Sequence, residues 1–188
     1  EAVDSVGEWC FDRSHRRIIY KPRHGETIGE AFVPTLSRLL TIHGSQTKPV
    51  SNITFENIDF ECTAHTTPAD GDGPTQAAAS WPAAIDIAGA YGIVFRNCVI
   101  RNTGESAIWF HDNTHGSSIV HCYFYDLGAS AVKIGEPTFN AQEATVPYAI
   151  TVDNNIFHHC GQEMPCAAGV LLLQARDVRD RKSTRLNS

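Results

Sequence analysis

A segment that repeats within the chain constrains its fold more than any other feature. Residues 95–110 read F-x-N-C-x-I-x-N-x-G-x-x-A-I-x-F, and residues 119–134 keep the apolar positions, the cysteine and the glycine in register. Weaker copies occupy residues 150–172 and, interrupted by a long excursion, residues 53–87. A fixed period of about two dozen residues is typical of solenoids, in which successive copies stack on one another.

Within each copy, short runs of alternating apolar and polar residues end at Asn, Asp or Gly. Alternation with period two predicts β-strands, and Asn and Gly tolerate the left-handed backbone angles of tight corners. Strands of neighbouring copies would pair in parallel about 4.8 Å apart. The sequence therefore predicts an all-β parallel β-helix of about four to five coils over residues 37–179, preceded by a small β-hairpin within residues 1–36. A further short strand is expected at residues 31–34.

Composition excludes several other classes of protein. The chain of 188 residues is 42% hydrophobic and 9% aromatic, which excludes intrinsic disorder. Its most apolar run, residues 167–173, is far shorter than the ~20 residues of a membrane span. A net charge of −6 argues against a nucleic-acid partner. The six cysteines lack the spacing of a disulfide scaffold or zinc site. Cys98 and Cys122 would stack inside the coil, where buried free thiols are expected and a functional disulfide is the alternative.

The last nine residues, 180–188, depart abruptly from the apolar pattern before them. Their back-translation can match a common sequencing adapter read in frame, so we expect this tail to be foreign to the protein. The chain is then expected to be a fragment of a longer open reading frame.

The N-terminal segment and one repeat resemble a known group of proteins. Residues 7–12, 20–26, 33–34 and 52–60, together with residues 126–136, are similar to carbohydrate-active right-handed parallel β-helix proteins of the pectin-lyase-like fold, and most similar to glycoside hydrolase family 141. The resemblance implies a right-handed coil, a secreted or periplasmic location, and action on plant cell-wall glycans. It implies neither a cofactor nor an oligomeric state. Members of the family are several times longer, so part of the catalytic face is expected outside this chain.

The alternation also predicts which side chains point outward. If the apolar neighbours in each strand face inward, Asp86, Trp109 and Lys133 form a column on one exposed sheet face, with His111 and Asp112 at the strand end. An aromatic ring there could stack on a sugar, and charged groups could contact hydroxyls or the glycosidic oxygen. Trp109, His111, Asp112 and Lys133 are therefore the candidate substrate-binding residues. The competing interpretation is a solvated face with an incidental column of charges.

Glycoside hydrolysis usually requires two carboxyl groups, ~5–5.5 Å apart in retaining and ~6.5–9.5 Å apart in inverting enzymes. Side chains of one column are near 5 Å apart on adjacent coils and near 10 Å apart two coils away. We predict Asp86 and Glu136 as the acid–base pair, with Asp126 next. Asp126 occupies a slot that Asn102 holds one repeat earlier, so turn capping is its competing role. The other carboxyl candidates are Glu105 and Asp112.

Two further functions fit the same scaffold. In a polysaccharide lyase, Lys133 or His111 would abstract a proton while a carboxylate cluster bound calcium. A non-catalytic β-helix would only bind glycan or act as a stalk. No metal site is predicted from the motifs themselves, because residues 70–73 lack the glutamate that a calcium loop requires.

Overall fold

The protein is described by a computed structural model that covers residues 3–12, 14–67, 69–71, 73, 75–139 and 144–186. The described part is all-β except for a short 3-10 turn, Gln76–Ala78. Two compact units are present, Glu1–Val33 and Pro34–Ser188. The strands, in chain order, are β1 (Trp9–Asp12), β2 (Arg17–Tyr20), β3 (Leu40–His43), β4 (Val50–Ser51), β5 (Thr54–Glu56), β6 (Asp59–Thr63), β7 (Ala83–Ala88), β8 (Ala90–Tyr91), β9 (Val94–Arg96), β10 (Val99–Thr103), β11 (Ser106–Phe110), β12 (Ser118–Val120), β13 (Tyr123–Leu127), β14 (Val132–Ile134), β15 (Thr151–Asp153), β16 (Ile156–His158), β17 (Val170–Leu172), β18 (Arg179–Arg181) and β19 (Thr184–Leu186).

Strands of the second unit recur in a fixed order, and each turn of the chain adds one strand to each of three parallel sheets. The sheets have the strand orders β3-β7-β11-β14-β17, β5-β9-β12-β15-β18 and β6-β10-β13-β16-β19. This confirms the predicted all-β class and is consistent with a β-helix solenoid of about five coils. The right-handed sense of the coil stays a prediction. Among the described residues, no helix is long or apolar enough to cross a membrane.

The strand pairings follow the sequence repeat. Ile100 pairs with Phe124 and Phe95 with Ile119, which are corresponding positions of consecutive repeats. These four side chains are fully buried and form part of the continuous apolar core. Stacking equivalent apolar residues in this way removes their side chains from water at every coil, which is the main source of stability for a solenoid.

The thiols of Cys98 and Cys122 belong to the same core. Both are free and buried, as the repeat predicted. Burial raises the pKa of the Cys122 thiol to about 12. These cysteines therefore behave as small apolar core residues in the folded protein.

The corners of the coil explain why the repeat is rich in asparagine. Asn97, His121 and Asn154 occupy equivalent corners with positive φ angles of 52°, 56° and 54°. Asn102 and Asp126 occupy a second set of corners, both with φ 52°. Short polar side chains such as Asn and Asp tolerate this left-handed conformation better than most residues. Asp126 therefore lies at a corner, as its turn-capping interpretation requires.

The first unit contains the predicted hairpin. Strands β1 and β2 pair antiparallel, with Trp9 opposite Tyr20 and Asp12 opposite Arg17. The strand predicted at residues 31–34 is wrong, since these four described residues form no strand. No strand of the described chain pairs with them, so their backbone groups have no ladder to join.

The last coil interrupts the apolar core. The positions that hold Val152 and Phe157 in one coil hold Asp180 and Arg185 in the next. These two charged side chains form an ion pair with each other. Residues of β18 and β19 thus follow the backbone pattern of the coil without its apolar pattern, and a foreign origin of residues 180–188 stays a prediction.

Candidate active site

The predicted column of outward side chains is present in the structure. Trp109 on β11 pairs with Asp86 on β7 and with Lys133 on β14, so the three residues lie on consecutive coils. The prediction that this face is exposed is wrong, because Asp86 is 6%, Trp109 8% and Lys133 0% exposed. Residues 75–82, here called the strap, account for the burial of Lys133, whose ammonium donates hydrogen bonds to strap carbonyls.

Burial also changes the roles that Trp109 and Lys133 can have. The Lys133 Nζ lies 3.3 Å from the centroid of the Trp109 ring, and the Trp109 Nε1–H donates to the Gly135 carbonyl at 2.8 Å. Burial lowers the pKa of Lys133 to about 7, against the opposing charges of nearby carboxylates. Neither side chain presents a surface on which a sugar ring could stack. The prediction that Trp109 and Lys133 bind substrate is therefore corrected. Both side chains lie buried behind the site.

His111 lies at the centre of the polar groups. It directly follows β11, and its Nε2–H donates to Asp86 Oδ1 on the preceding coil at 2.6 Å. Its Nδ1–H donates to Glu136 Oε1, on the following coil, at 2.6 Å. Burial of the imidazole disfavours its charge, but the hydrogen bonds and charges of these two carboxylates outweigh burial and raise the pKa of His111 to about 9. The imidazole is therefore a cation held between two anions at neutral pH.

The two carboxylates are stabilised in their ionised forms. Burial opposes ionisation of Asp86, but the hydrogen bond and charge of His111, with the charge of Arg38, lower the pKa of Asp86 below its ordinary value. Burial likewise opposes ionisation of Glu136, and the hydrogen bond and charge of His111 again lower its pKa. Glu136 also accepts a hydrogen bond from the Asp112 backbone N–H at 3.4 Å.

Two residues at this site were missed by sequence reasoning. His43 Nε2 lies 2.9 Å and Arg38 Nη1 3.3 Å from Asp86 Oδ2. His43 belongs to β3, where Leu40 and Ile42 face the core, so the same alternation that placed Trp109 outward could have identified it. Arg38 precedes the strand, and no periodic signal in the sequence marks it.

A cleft of about 290 Å³ opens beside these groups. Among its lining residues, a Cβ on Gly89 would meet the Gly44 carbonyl oxygen at 2.5 Å, so glycine is required for the backbones of the two coils to approach. Its wall includes Asp112, a predicted substrate-binding residue. The full lining consists of His43, Gly44, Asp86, Ala88, Gly89, His111, Asp112, Asn113 and Glu136.

Two of the predicted carboxyl groups lie outside this cleft. Asp126 is on β13, in a different sheet, where its Oδ1 lies 3.0 Å from His159 Nδ1. Glu105 is buried, with His65 Nδ1 3.6 Å from its Oε1, and burial raises the pKa of Glu105. Within the described ranges, no group of three or more His, Cys, Asp or Glu side chains is arranged to hold a metal ion.

Fold and site together define an all-β solenoid with a charged cleft at the end of one parallel sheet. No protein-family model and no curated protein sequence matches the chain. One similar solved structure is described as a glycoside hydrolase, with a TM-score of 0.79 and 22% sequence identity. The match covers 90% of this chain and 36% of that one, so this chain spans little more than a third of that protein. At this identity the comparison shows a shared fold.

Proposed function

We propose that this chain carries the acid–base centre of a glycoside hydrolase that acts on plant cell-wall polysaccharide. The observation that carries the proposal is the cation of His111 held between Asp86 and Glu136 on three consecutive coils, at the wall of an open cleft. The shared fold with a glycoside hydrolase supports it. Such a substrate would be met outside the cytoplasm, so the proposal includes a secreted or periplasmic location.

The charge states suggest how the work is divided among the three residues. Both carboxyl groups have lowered pKa values and are ionised at neutral pH, so neither is the proton donor. We assign proton donation to the His111 cation, because an acid must be protonated before the reaction. Asp86, whose side chain is only 8% exposed, holds the imidazole in place and stabilises its charge. Glu136, with a side chain 25% exposed, is the base that water can reach.

In the proposed reaction, substrate displaces Glu136 from the His111 Nδ1 and so separates the two groups, which lie 2.6 Å apart in the free protein, to the ~5 Å or more that catalysis on a glycosidic bond requires. The imidazolium then donates this proton to the glycosidic oxygen as the bond between that oxygen and the anomeric carbon breaks. Water adds to the anomeric carbon and loses a proton to Glu136. Once products leave, Glu136 returns the proton to His111 across the hydrogen bond that joins them in the free protein. Every proton is thus accounted for without a cofactor.

The structure favours hydrolysis over elimination by a lyase. A lyase needs a neutral base next to the sugar, whereas both His111 nitrogens donate to carboxylates and Lys133 is fully buried. Neither Lys133 nor His111, the two bases expected for a lyase, is therefore available to abstract a proton.

The test is a panel of neutral plant polysaccharides and pectins, with release of reducing ends measured for the whole chain. Glu136→Gln and His111→Gln should each reduce hydrolysis by about 10²-fold or more, the usual size of a general acid–base contribution. Asp59→Asn, which alters an exposed carboxylate on another sheet, is the matched control and should change nothing. Full activity of both site variants would refute the assignment. Unsaturated uronate products would establish a lyase, and glycan binding without turnover would favour the non-catalytic alternative.

A further inference from the structure

The Trp109 side chain contacts both His111 and the backbone next to Glu136, the two partners of one hydrogen bond in the site. Its ring stacks on the His111 imidazole with centroids 4.0 Å apart and planes inclined by 29°. Its indole N–H donates to the carbonyl of Gly135, the residue directly before Glu136. Movement of this one indole would therefore displace both His111 and the backbone that carries Glu136.

Lys133 holds this indole from the side of the strap. Its ammonium lies over the Trp109 ring, and it donates hydrogen bonds to the Ala79 carbonyl, at 3.1 Å, and to the Trp81 carbonyl. Trp81 is itself buried and packs with Ala129 in a small apolar cluster. The ammonium is thus fixed on both sides, by backbone carbonyls of the strap and by the π-face of the indole.

A fully buried lysine at this place calls for an explanation. Lysine is almost never fully buried, because removing an ammonium from water is costly, and a well-packed apolar residue is often at least as stabilising. The hydrogen bonds to the strap offset part of this cost, but an apolar residue in the same place would not incur the cost. The contact of the ammonium with the Trp109 ring gives a reason for lysine at this position, which packing alone does not.

We propose that Lys133 and Trp109 are positioning residues: Lys133 holds the indole against His111, and Trp109 keeps His111 and Glu136 in hydrogen-bonding register. The inference rests on the proposed function only for the chemistry assigned to His111 and Glu136. Neither Lys133 nor Trp109 touches substrate in this arrangement, since both are buried behind the cleft.

The sign of one measurable change distinguishes positioning from a simple charge effect. If Lys133 acted only through its charge, Lys133→Met would leave the pKa of His111 unchanged or raise it, because a lysine with a pKa of about 7 is largely uncharged where His111 titrates and any remaining cation disfavours the imidazolium. If Lys133 acts by positioning, the same change lets His111 leave its two carboxylates. Its pKa then falls from about 9 toward 6.5. Positioning therefore predicts a fall in the pKa of His111, whereas charge alone predicts no change or a rise.

The experiment is an NMR titration of the His111 ring in the whole chain without substrate, so loss of hydrolysis on every glycan would leave its result intact. Lys133→Met is expected to lower the pKa of His111 by about one pH unit or more, the loss of roughly one charge-assisted hydrogen bond. Trp109→Phe, which keeps a ring and removes the indole N–H, should give a smaller fall. Arg101→Met, on another sheet, is the control and should give none.

Circular dichroism and thermal unfolding establish that each variant is folded before it is titrated. If Lys133→Met does not fold, the conservative Trp109→Phe variant decides the question. An unchanged or raised pKa of His111 in the folded variants would overturn the proposal.

Discussion

Replacing Asp86 with asparagine tests the central feature of the site, the charge of His111. The pKa of His111 rises from an ordinary value of 6.5 to about 9, which corresponds to roughly 3 kcal/mol of preference for the charged form. Asp86 and Glu136 share this stabilisation, and a hydrogen bond to a charged partner contributes ~1.5–3 kcal/mol. Asp86→Asn keeps an acceptor oxygen and removes the charge. We therefore expect the pKa of His111 to fall by about one to two pH units.

The assay follows the imidazole resonances of histidine-labelled protein during a pH titration, with His111→Gln used to assign the His111 signals. Glu56→Gln is the control, because Glu56 is an exposed carboxylate paired with Arg96 on another sheet. Hydrolysis measured over the same pH range supplies a second readout. If the His111 cation donates the proton, the alkaline loss of activity should move to lower pH together with the pKa of His111.

Two results would refute this reasoning separately. A pKa that stays near 9 after Asp86→Asn would mean that Asp86 does not stabilise the His111 cation, whatever the hydrogen bond between them. A pKa that falls while the alkaline limb of hydrolysis does not move would mean that His111 is charged by Asp86 but is not the proton donor.

Three further predictions concern the stability of the protein and the role of Asp126, which lies outside the cleft. The His111 cation stabilises the folded protein below pH 6.5, and this contribution is lost as the pH rises to about 9. Burial of the charged Lys133 destabilises the folded protein, and this cost is relieved as the pH rises from its folded pKa of about 7 to its unfolded value of 10.5. These contributions oppose each other from pH 7 to 9, so the free energy of unfolding in urea should vary little there, and His111→Gln should make it rise with pH. Asp180→Val combined with Arg185→Leu should raise that free energy by about 1 kcal/mol by extending the apolar core, and a fall would contradict this view of the last coil. Asp126→Asn should leave both hydrolysis and stability unchanged, because asparagine suits its corner; a large loss of activity would return Asp126 to the site.

The sequence predicted the column of the site because two periodicities determine it. The repeat sets which residues pair between coils, and alternation sets which of them face outward, so Trp109 had to lie between Asp86 and Lys133. Both rules concern backbone pairing, which the apolar core enforces at every coil. The same rules apply to His43, whose strand lies before the long excursion at residues 63–82, where the repeat is hardest to follow.

The burial of the column could not be predicted in the same way. For Lys133 it depends on the strap, an irregular segment whose Ala79 and Trp81 carbonyls accept hydrogen bonds from the ammonium, and no repeat or alternation in the sequence places this segment. The charge of His111 was also beyond sequence reasoning, because it depends on two carboxylates that approach within 2.6 Å from different coils. Residue types indicated a polar face, and only the packing separates its accessible groups from its buried ones.

Exposure along this sheet differs between residues within the strands and residues just beyond the strand ends. Lys133 and Trp109, within strands, are buried, while His111 and Glu136, just beyond strand ends, are 19% and 25% exposed at their side chains. The covered part of the face is held by packing and fixed hydrogen bonds, so it can orient neighbours with little loss of conformational entropy on binding. The corners leave the next side chains accessible to a ligand. Under the proposed function, a substitution of Trp109 or Lys133 should therefore act on the reaction through His111, whereas a substitution of His111 or Glu136 should remove a reacting group directly.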